Sequence, residues 1–268
     1  MKMMTYQYSD GDIDLHYDYI FVQRCPEIFV KALNSMNIVK SINFQECYEK
    51  HGVCTIQTRS ESPVETYEFD DFVEGMDAGQ GKNYQITYIK TPDQDIKIIN
   101  ASISYETELD PEIPLRKYIR SWEREQQIKF ADAYPELDPD EILDTLGVNV
   151  HKAWKINLPI SSRIITRDIY LSQACEVLDL VTDDNTVLVA DLHFEDNYLP
   201  EDVMLKPRGL INHASNVDSF KLPPEKGGEW ISLQKIITTE NSNIDISKVI
   251  CKEQEGVPFG HHPLEFEI

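Results

Sequence analysis

Three side chains with metal-binding chemistry alternate along one short segment near residue 190. In TVLVADLHFED, residues 186–196, Asp191, His193 and Glu195 occupy every second position, with apolar side chains between them. Side chains of a β-strand alternate between its two faces, so these three would share one face. Such a row can hold a divalent cation if a distant segment adds another ligand. The segment therefore offers a site for one divalent metal on Asp191, His193 and Glu195.

A second acidic row lies close to the N-terminus. In SDGDIDLHYDY, residues 9–19, the even positions carry four aspartates and one histidine, while the odd positions from 13 onward are apolar or aromatic. As a strand, this segment would bury one face and expose a ladder of carboxylates. Such a ladder is typical of a solvated sheet face. It could equally engage Lys and Arg side chains of a partner protein.

The acidic charge of the chain is concentrated in two stretches without cations. The 268 residues include 47 Asp and Glu against 25 Lys and Arg, a formal net charge of −22. Segments 60–81 and 176–202 contain no Lys or Arg. An acidic face of this kind would steer association with a basic partner. The candidate partner-binding residues are Asp10, Asp12, Asp14, Asp18, Glu65, Glu68, Asp70, Asp71, Asp183 and Asp184.

The same charge balance argues against two classes of partner. Binding to phosphate backbones requires a basic face, and anionic membranes repel an acidic chain, so we expect no nucleic-acid and no membrane partner. No apolar run is long enough to span a bilayer, and the N-terminal segment lacks a signal-peptide core. The five cysteines are odd in number and irregularly spaced, which is untypical of disulfide or zinc scaffolds. These features predict a cytoplasmic protein.

Alternating hydrophobicity predicts β-structure at both ends of the chain and helices at its centre. Two helices, 112–133 and 138–147, form a predicted hairpin, the second beginning at the N-cap Asp138 and ending at Gly147. A short helix is expected after Cys25-Pro26 and another over 172–181. Predicted strands cover 13–22, 37–45, 53–58, 64–69, 83–90, 96–106, 163–171 and 186–194, with a terminal hairpin of 229–238 and 243–251.

This order of elements predicts an α+β fold, made of mostly antiparallel sheets with a central helical hairpin. The corresponding division is an N-terminal β-rich lobe over 1–108, a helical segment over 109–160 and a C-terminal β-rich lobe over 161–268. One continuous domain is the alternative.

Charge and the lack of a catalytic motif together favour a binding function. Neither a nucleophile-elbow motif nor a phosphate-binding loop occurs in the sequence. We therefore expect a cofactor-free interaction protein that binds and neutralises a basic protein, as immunity proteins, antitoxins and inhibitors do. The first alternative is a metal-dependent enzyme with its site on strand 186–195. The second is a structural protein that assembles with copies of itself.

Overall fold

The computed structural model describes residues 1–8, 14–48, 51–69, 83–103, 173–192, 201–224, 228, 230–254, 257 and 260–268. Helices are α1 (Glu27–Leu33), α2 (173–179) and α3 (Glu201–Leu205), followed by a 3-10 turn at Lys206–Arg208. The strands are β1 (Lys2–Gln7), β2 (Tyr19–Pro26), β3 (Ser41–Tyr48), β4 (His51–Gln57), β5 (Val64–Glu68), β6 (Asn83–Lys90), β7 (Asp95–Ser102), β8 (Thr186–Asp191), β9 (Leu210–Asn212), β10 (Phe220–Lys221), β11 (Trp230–Ile231), β12 (Gln234–Thr239), β13 (Ser247–Cys251), β14 (Gly260–His261) and β15 (Leu264–Glu267).

The strands form two large sheets and a small third one. The first sheet has six strands in the order β13-β15-β1-β2-β4-β3, and the second has six in the order β5-β6-β7-β8-β12-β9. The third sheet contains β11-β10-β14. Near the middle of each large sheet lies one parallel pair, β1 with β2 and β7 with β8, while the other pairs are antiparallel.

The two large sheets pack face to face, and short helices cover their outer faces. Phe21 and Phe266 of the first sheet meet Ile98 and Val189 of the second in one buried apolar cluster. Residues of α1 pack on the outer face of the first sheet, and residues of α2 pack on the outer face of the second. Burying each large apolar side chain contributes about 1.5–3 kcal/mol, so this inner layer is a main source of stability.

The fold-class prediction is wrong, because the architecture is a mainly β sandwich of two mixed sheets rather than an α+β fold of antiparallel sheets. Local alternation identifies strands but not their partners, and both parallel pairs join strands that are not linked by a tight turn. The helical hairpin predicted within 109–160 lies outside the described residues. The prediction that 229–238 and 243–251 form a terminal hairpin is also wrong. Strand β12 pairs with β8 and β9, whereas β13 pairs with β15.

Several local predictions agree with the structure. Helix α1 begins directly after Pro26, and β8 begins at Thr186, as the sequence pattern indicates. The first predicted strand is shorter than expected, since β2 begins at Tyr19 and residues 14–18 precede it outside any strand.

Strands from the two halves of the chain pair in both large sheets. Strand β1 pairs with β15 in the first sheet, and β7 pairs with β8 in the second. The division into 1–108, 109–160 and 161–268 stays a prediction, as does its alternative of one continuous domain. No helix in the described part of the chain is long and apolar enough to cross a membrane.

We expect Glu265 to make the fold less stable in acid. Burial alone would raise its pKa, but a 2.7 Å hydrogen bond from Tyr17 and a 3.1 Å ion pair with Lys252 outweigh burial and hold the pKa below the ordinary 4.5. A carboxylate with a depressed folded-state pKa stabilises the fold above its unfolded pKa, and this stabilisation is lost as pH falls through the folded pKa. Urea unfolding measures the free energy of unfolding at pH 7 and at about pH 3. Between these two pH values, Glu265→Gln should lose less of this free energy than the wild type does. Equal losses of unfolding free energy in the two proteins would contradict the stabilising role of the Glu265 carboxylate.

Candidate functional site

The inward faces of the four parallel strands change from apolar to polar toward their carboxyl ends. Side chains at the start of each strand join the apolar layer between the sheets, and those at its end are amides, hydroxyls or a carboxylate, all buried. This change along one face is the signal that could have been found in the sequence, and our sequence analysis missed it. The inward series are Met3, Thr5 and Gln7 in β1; Tyr19, Phe21 and Gln23 in β2; Ile96, Ile98, Asn100 and Ser102 in β7; Val187, Val189 and Asp191 in β8.

A chain of hydrogen bonds connects the polar ends across the sandwich. Gln23 Nε2 donates to Asn100 Oδ1 at 2.7 Å and to Thr5 Oγ1 at 3.1 Å, so the first sheet is bonded directly to the second. Asn100 Nδ2 in turn donates to the Cys54 carbonyl at 3.0 Å. Because a carbonyl can only accept, this last bond sets the orientation of the Asn100 amide and, through it, that of Gln23.

Sheet pairing places further polar residues beside these. Gln7 is the Cα partner of Gln23 in the first sheet, and Asp191 lies between Ser102 and Gln234 in the second. We call Gln7, Gln23, Asn100, Ser102, Asp191 and Gln234 the inner polar cluster. Asp191 is its single carboxylate and is 4 % exposed.

The third sheet brings one histidine, His261, to the cluster. His261 Nε2 lies 3.9 Å from Asp191 Oδ2, and the His261 ring contacts Phe220 edge-on. His262 follows, with its ring centroid 4.9 Å from that of Trp230. Backbone bonds hold this region in place, because the Ser219 carbonyl accepts from the His262 N–H at 2.7 Å. The hydroxyl of Ser219 also accepts from the N–H of Gln234 at 2.9 Å.

Of the predicted metal ligands, Asp191 lies in the inner polar cluster. His193 and Glu195 lie outside the described residues. Leu188 and Ala190 face the outer core of the second sheet, whereas Asp191 faces inward, so the predicted alternation holds along β8. The prediction of a metal site on these three residues stays a prediction.

The predicted partner-binding acids occupy several different settings. Asp10, Asp12, Asp70 and Asp71 lie outside the described residues. Asp14, Glu65 and Glu68 are exposed. Glu65 accepts hydrogen bonds from the hydroxyls of Tyr67 and Tyr88.

Three of these acids instead bond within the fold. Buried Asp18 accepts from the Lys2 N–H at 2.8 Å and pairs with Arg59 at 2.9 Å. Asp183 accepts from the Thr186 hydroxyl at 2.7 Å, and Asp184 accepts from Thr239 at 3.0 Å in the same turn. Asp183 and Asp184 are exposed all the same, so only Asp18 of the three is withdrawn from solvent. An acid pattern in a sequence does not distinguish such a buried acceptor from charges that face solvent.

The chemistry of the cluster suits a hard cation in part. Asp191 supplies a carboxylate, and its neighbours Ser102 and Gln234 supply neutral oxygens, which are ligand types that Mg²⁺ and Mn²⁺ prefer. Within the described ranges, no group of three His, Cys, Asp or Glu side chains is placed to hold a metal. A metal at Asp191 would therefore need further ligands, and the predicted ligands His193 and Glu195 lie outside the described residues.

Solved structures with the same fold come from several bacteria. An endonuclease/exonuclease/phosphatase family protein from Leptotrichia buccalis matches with a TM-score of 0.52 at 11% identity, covering 100% of this chain and 99% of that one. A functionally unknown conserved protein from Enterococcus faecalis matches with a TM-score of 0.56 at 11% identity, and the match covers 100% of this chain and 98% of that one. Beta toxin from Staphylococcus aureus matches with a TM-score of 0.53 at 10% identity, covering 99% of each chain. No family model and no curated protein matches the sequence.

These comparisons correct the predicted function. The chain has the sandwich fold of an endonuclease/exonuclease/phosphatase family protein, so its interpretation as an inhibitor, antitoxin or immunity protein that neutralises a basic partner is wrong. The expectation of no nucleic-acid partner is wrong for the same reason. Net charge sums the whole surface, whereas a divalent cation can offset the phosphate charge at one site. The metal-dependent enzyme alternative fits these comparisons better.

Proposed function

We propose that this chain is a metal-dependent enzyme that hydrolyses phosphate esters at the inner polar cluster. The observation that carries the proposal is the gathering of buried polar side chains toward the carboxyl ends of paired parallel strands, namely Gln7, Gln23, Asn100, Ser102 and Asp191. Gln234, the first residue of the antiparallel neighbour β12, lies beside Asp191. Buried polar groups are expensive to maintain without a purpose, and a convergent set of them is typical of a binding site. The fold shared with an endonuclease/exonuclease/phosphatase family protein supports the reaction class.

Asp191, with His193 and Glu195, would hold the divalent ion. When bound, such an ion polarises a phosphoryl oxygen and offsets the charge that develops on it. The chain supplies the position of the carboxylate, because Asp191 is held between Ser102 and Gln234 by sheet pairing and lies beside His261. A reaction centre on strands is more rigid than one on loops.

The amides of the cluster would orient the substrate without adding charge. Gln23 is held by Thr5 and Asn100, and Gln7 lies next to it in the sheet. Neutral donors in a water-poor environment stabilise developing negative charge more than they would in bulk water. Substrates consistent with this chemistry are phosphodiesters, including nucleic acids, and phosphomonoesters.

A direct assay tests the proposal. Purified full-length protein should hydrolyse bis(4-nitrophenyl) phosphate, 4-nitrophenyl phosphate or a labelled DNA oligonucleotide when Mg²⁺ or Mn²⁺ is added. Activity should disappear with excess EDTA and return when the metal is restored. Release of product from none of these substrates under any metal condition would reject the proposal.

We also propose a cytoplasmic location. The four cysteines whose side chains are described are free, and reducing compartments maintain free thiols. Fractionation of native cells with an antibody to the chain tests the location, and recovery in a secreted or membrane fraction would contradict it.

A further inference from the structure

An exposed carboxylate on the edge strand of the second sheet is shared by two tyrosines. The hydroxyl of Tyr88 donates to Glu65 Oε2 at 3.1 Å, and the hydroxyl of Tyr67 donates to the same oxygen. Among the described residues, Glu65 Oε1 has no hydrogen-bond partner and no Lys, Arg or His side chain pairs with Glu65. One oxygen of this exposed carboxylate is therefore still available to a ligand.

The pairing of β5 with β6 places these three side chains on one face of the second sheet. Glu65 and Tyr67 are the Cα partners of Ile86 and Tyr84. Both partners belong to the apolar cluster on the outer face of that sheet. Tyr88 lies two residues beyond Ile86 in β6 and therefore points to the same side. The three side chains thus lie on the outer face, whereas the inner polar cluster faces the first sheet.

The two tyrosines lie on either side of the carboxylate along β5. Tyr67 follows Glu65 by two residues in the strand. The N–H of Tyr88 donates to the Pro63 carbonyl at 3.0 Å, so Tyr88 lies beside the residue that precedes Glu65 by two positions. Tyr67 is 38 % exposed and Tyr88 is 36 % exposed. A ligand above Glu65 can therefore contact both rings.

The position of β5 at the edge of its sheet leaves one face of the Tyr67 ring open. The Tyr67 ring stacks on that of Tyr84, with centroids 5.4 Å apart and planes 17° apart, so Tyr84 covers the face toward β6. Strand β5 pairs with β6 and is the first strand of the sheet, so the opposite face looks toward the unpaired edge.

The electrostatics of this surface favour a positively charged ligand. The hydrogen bond to Glu65 is the largest influence that raises the pKa of Tyr67, while burial and then the same carboxylate raise the pKa of Tyr88. Both side chains therefore remain neutral phenols, whose ring faces are electron-rich and attract cations. Segment 60–81, which includes β5, contains no Lys or Arg to compete for the carboxylate.

The hydrogen bonds already made indicate the kind of cation. Both phenol O–H groups are donated to Glu65, so the rings present their π surface to a ligand. A primary ammonium is compact and strongly hydrated, and it would find one free carboxylate oxygen here for its three N–H donors. A quaternary ammonium has no N–H group to satisfy and binds through aromatic faces and a nearby negative charge.

We propose that Glu65, Tyr67 and Tyr88 bind a quaternary ammonium group, such as the trimethylammonium group of choline. The carboxylate supplies the opposite charge, and the two rings contact the methyl groups. This site lies on the other face of the second sheet from the inner polar cluster. It is therefore independent of the proposed function, and each can fail without the other.

Nuclear magnetic resonance of the full-length protein tests the site directly. The 13 tyrosines can be labelled with ¹³C in their rings, and the Tyr67 and Tyr88 signals assigned by their loss in Tyr67→Leu and Tyr88→Leu. Choline chloride should shift these two sets of signals in a saturable way, whereas sodium chloride at equal ionic strength should not. Dimethylbutanol, the uncharged isostere in which carbon replaces the nitrogen of choline, should bind at least about 5-fold more weakly. The absence of a saturable shift, or equal affinity for the isostere, would overturn the proposal.

Variants separate the cation site from general surface charge. Loss of either ring in Tyr67→Leu or Tyr88→Leu should weaken choline binding about 2- to 5-fold, and Glu65→Gln should weaken it about 5-fold. Tyr67→Phe keeps the ring and should stay within about 2-fold of wild type. Glu68→Gln is the matched charge control, because Glu68 is exposed on β5 but on the opposite face, and it should also stay within about 2-fold. Equal weakening by the two Glu→Gln changes would overturn the proposal.

Vesicle binding identifies the source of the ammonium group. Sedimentation with phosphatidylcholine vesicles but not with phosphatidylglycerol vesicles, reduced in Tyr67→Leu, would support a lipid headgroup as the ligand. Choline binding without sedimentation on either vesicle would support a soluble choline-type molecule. Sedimentation that is equal on both vesicles and unchanged in Tyr67→Leu would contradict recognition of a lipid headgroup by this site.

Discussion

Replacing Asp191 with Asn should lower kcat/KM for phosphate-ester hydrolysis by about 10³-fold or more. The substitution keeps the shape of the side chain but removes the single carboxylate of the inner polar cluster, and with it the charge that would hold a divalent ion. Asparagine fits between Ser102 and Gln234 as aspartate does, so the sheet should form normally. Calorimetric titration with Mn²⁺ should show weaker metal binding in the same variant.

Asp95→Asn is the matched control for this experiment. Asp95 is exposed at the first position of β7, at the opposite end of that strand from Ser102, and the charge change is identical. We expect its kcat/KM and metal affinity to remain within about twofold of wild type, since surface charges away from a site have small effects. Equal losses in both variants would mean that general charge, not the inner polar cluster, governs activity. Full activity of Asp191→Asn would remove the cluster from the reaction.

Gly52→Ala should be among the most destabilising single substitutions in the first sheet. Gly52 lies in β4 between Cys25 of β2 and Glu46 of β3. A Cβ at this position would lie 1.9 Å from the Gln45 carbonyl oxygen and 2.7 Å from its carbon. Both atoms are backbone, so relief requires β3 to move away from β4. Overpacking typically lowers the free energy of unfolding by about 1–3 kcal/mol and occasionally more. We expect the loss for Gly52→Ala to be about 3 kcal/mol or larger.

Gly209→Ala separates this clash from the ordinary effect of adding a side chain to glycine. Gly209 has a left-handed φ of 63°, and an added Cβ there would meet no atom within 4 Å. Its expected cost is about 1–2 kcal/mol, which is the strain of placing an L-residue in that conformation. Urea denaturation of both variants measures the difference. If Gly52→Ala loses no more stability than Gly209→Ala, the close approach of β3 to β4 at Gly52 is incorrect.

The wrong functional prediction came from treating net charge as a property of a site. The net charge of −22 says nothing about where each acid lies, because Asp18 is buried and accepts a hydrogen bond from Lys2, whereas Asp183 and Asp184 are exposed. The alternation of the Asp191 segment predicts a definite face for its carboxylate whatever the surface charge, and β8 has that alternation.

Local sequence determined several of the strands, the helix after Pro26 and the placing of Asp191 on the face opposite Leu188 and Ala190, because alternation and proline geometry act over a few residues. That the Asp191 face is buried between the sheets was decided by the tertiary structure. Only the tertiary structure decided which strands pair in parallel and which side chains meet. Gln23 and Asn100 bond across the sandwich although 77 residues separate them, and the third sheet carries His261 to Asp191. Such contacts depend on chain crossovers and on the packing of two sheets, and local periodicity contains no information about either.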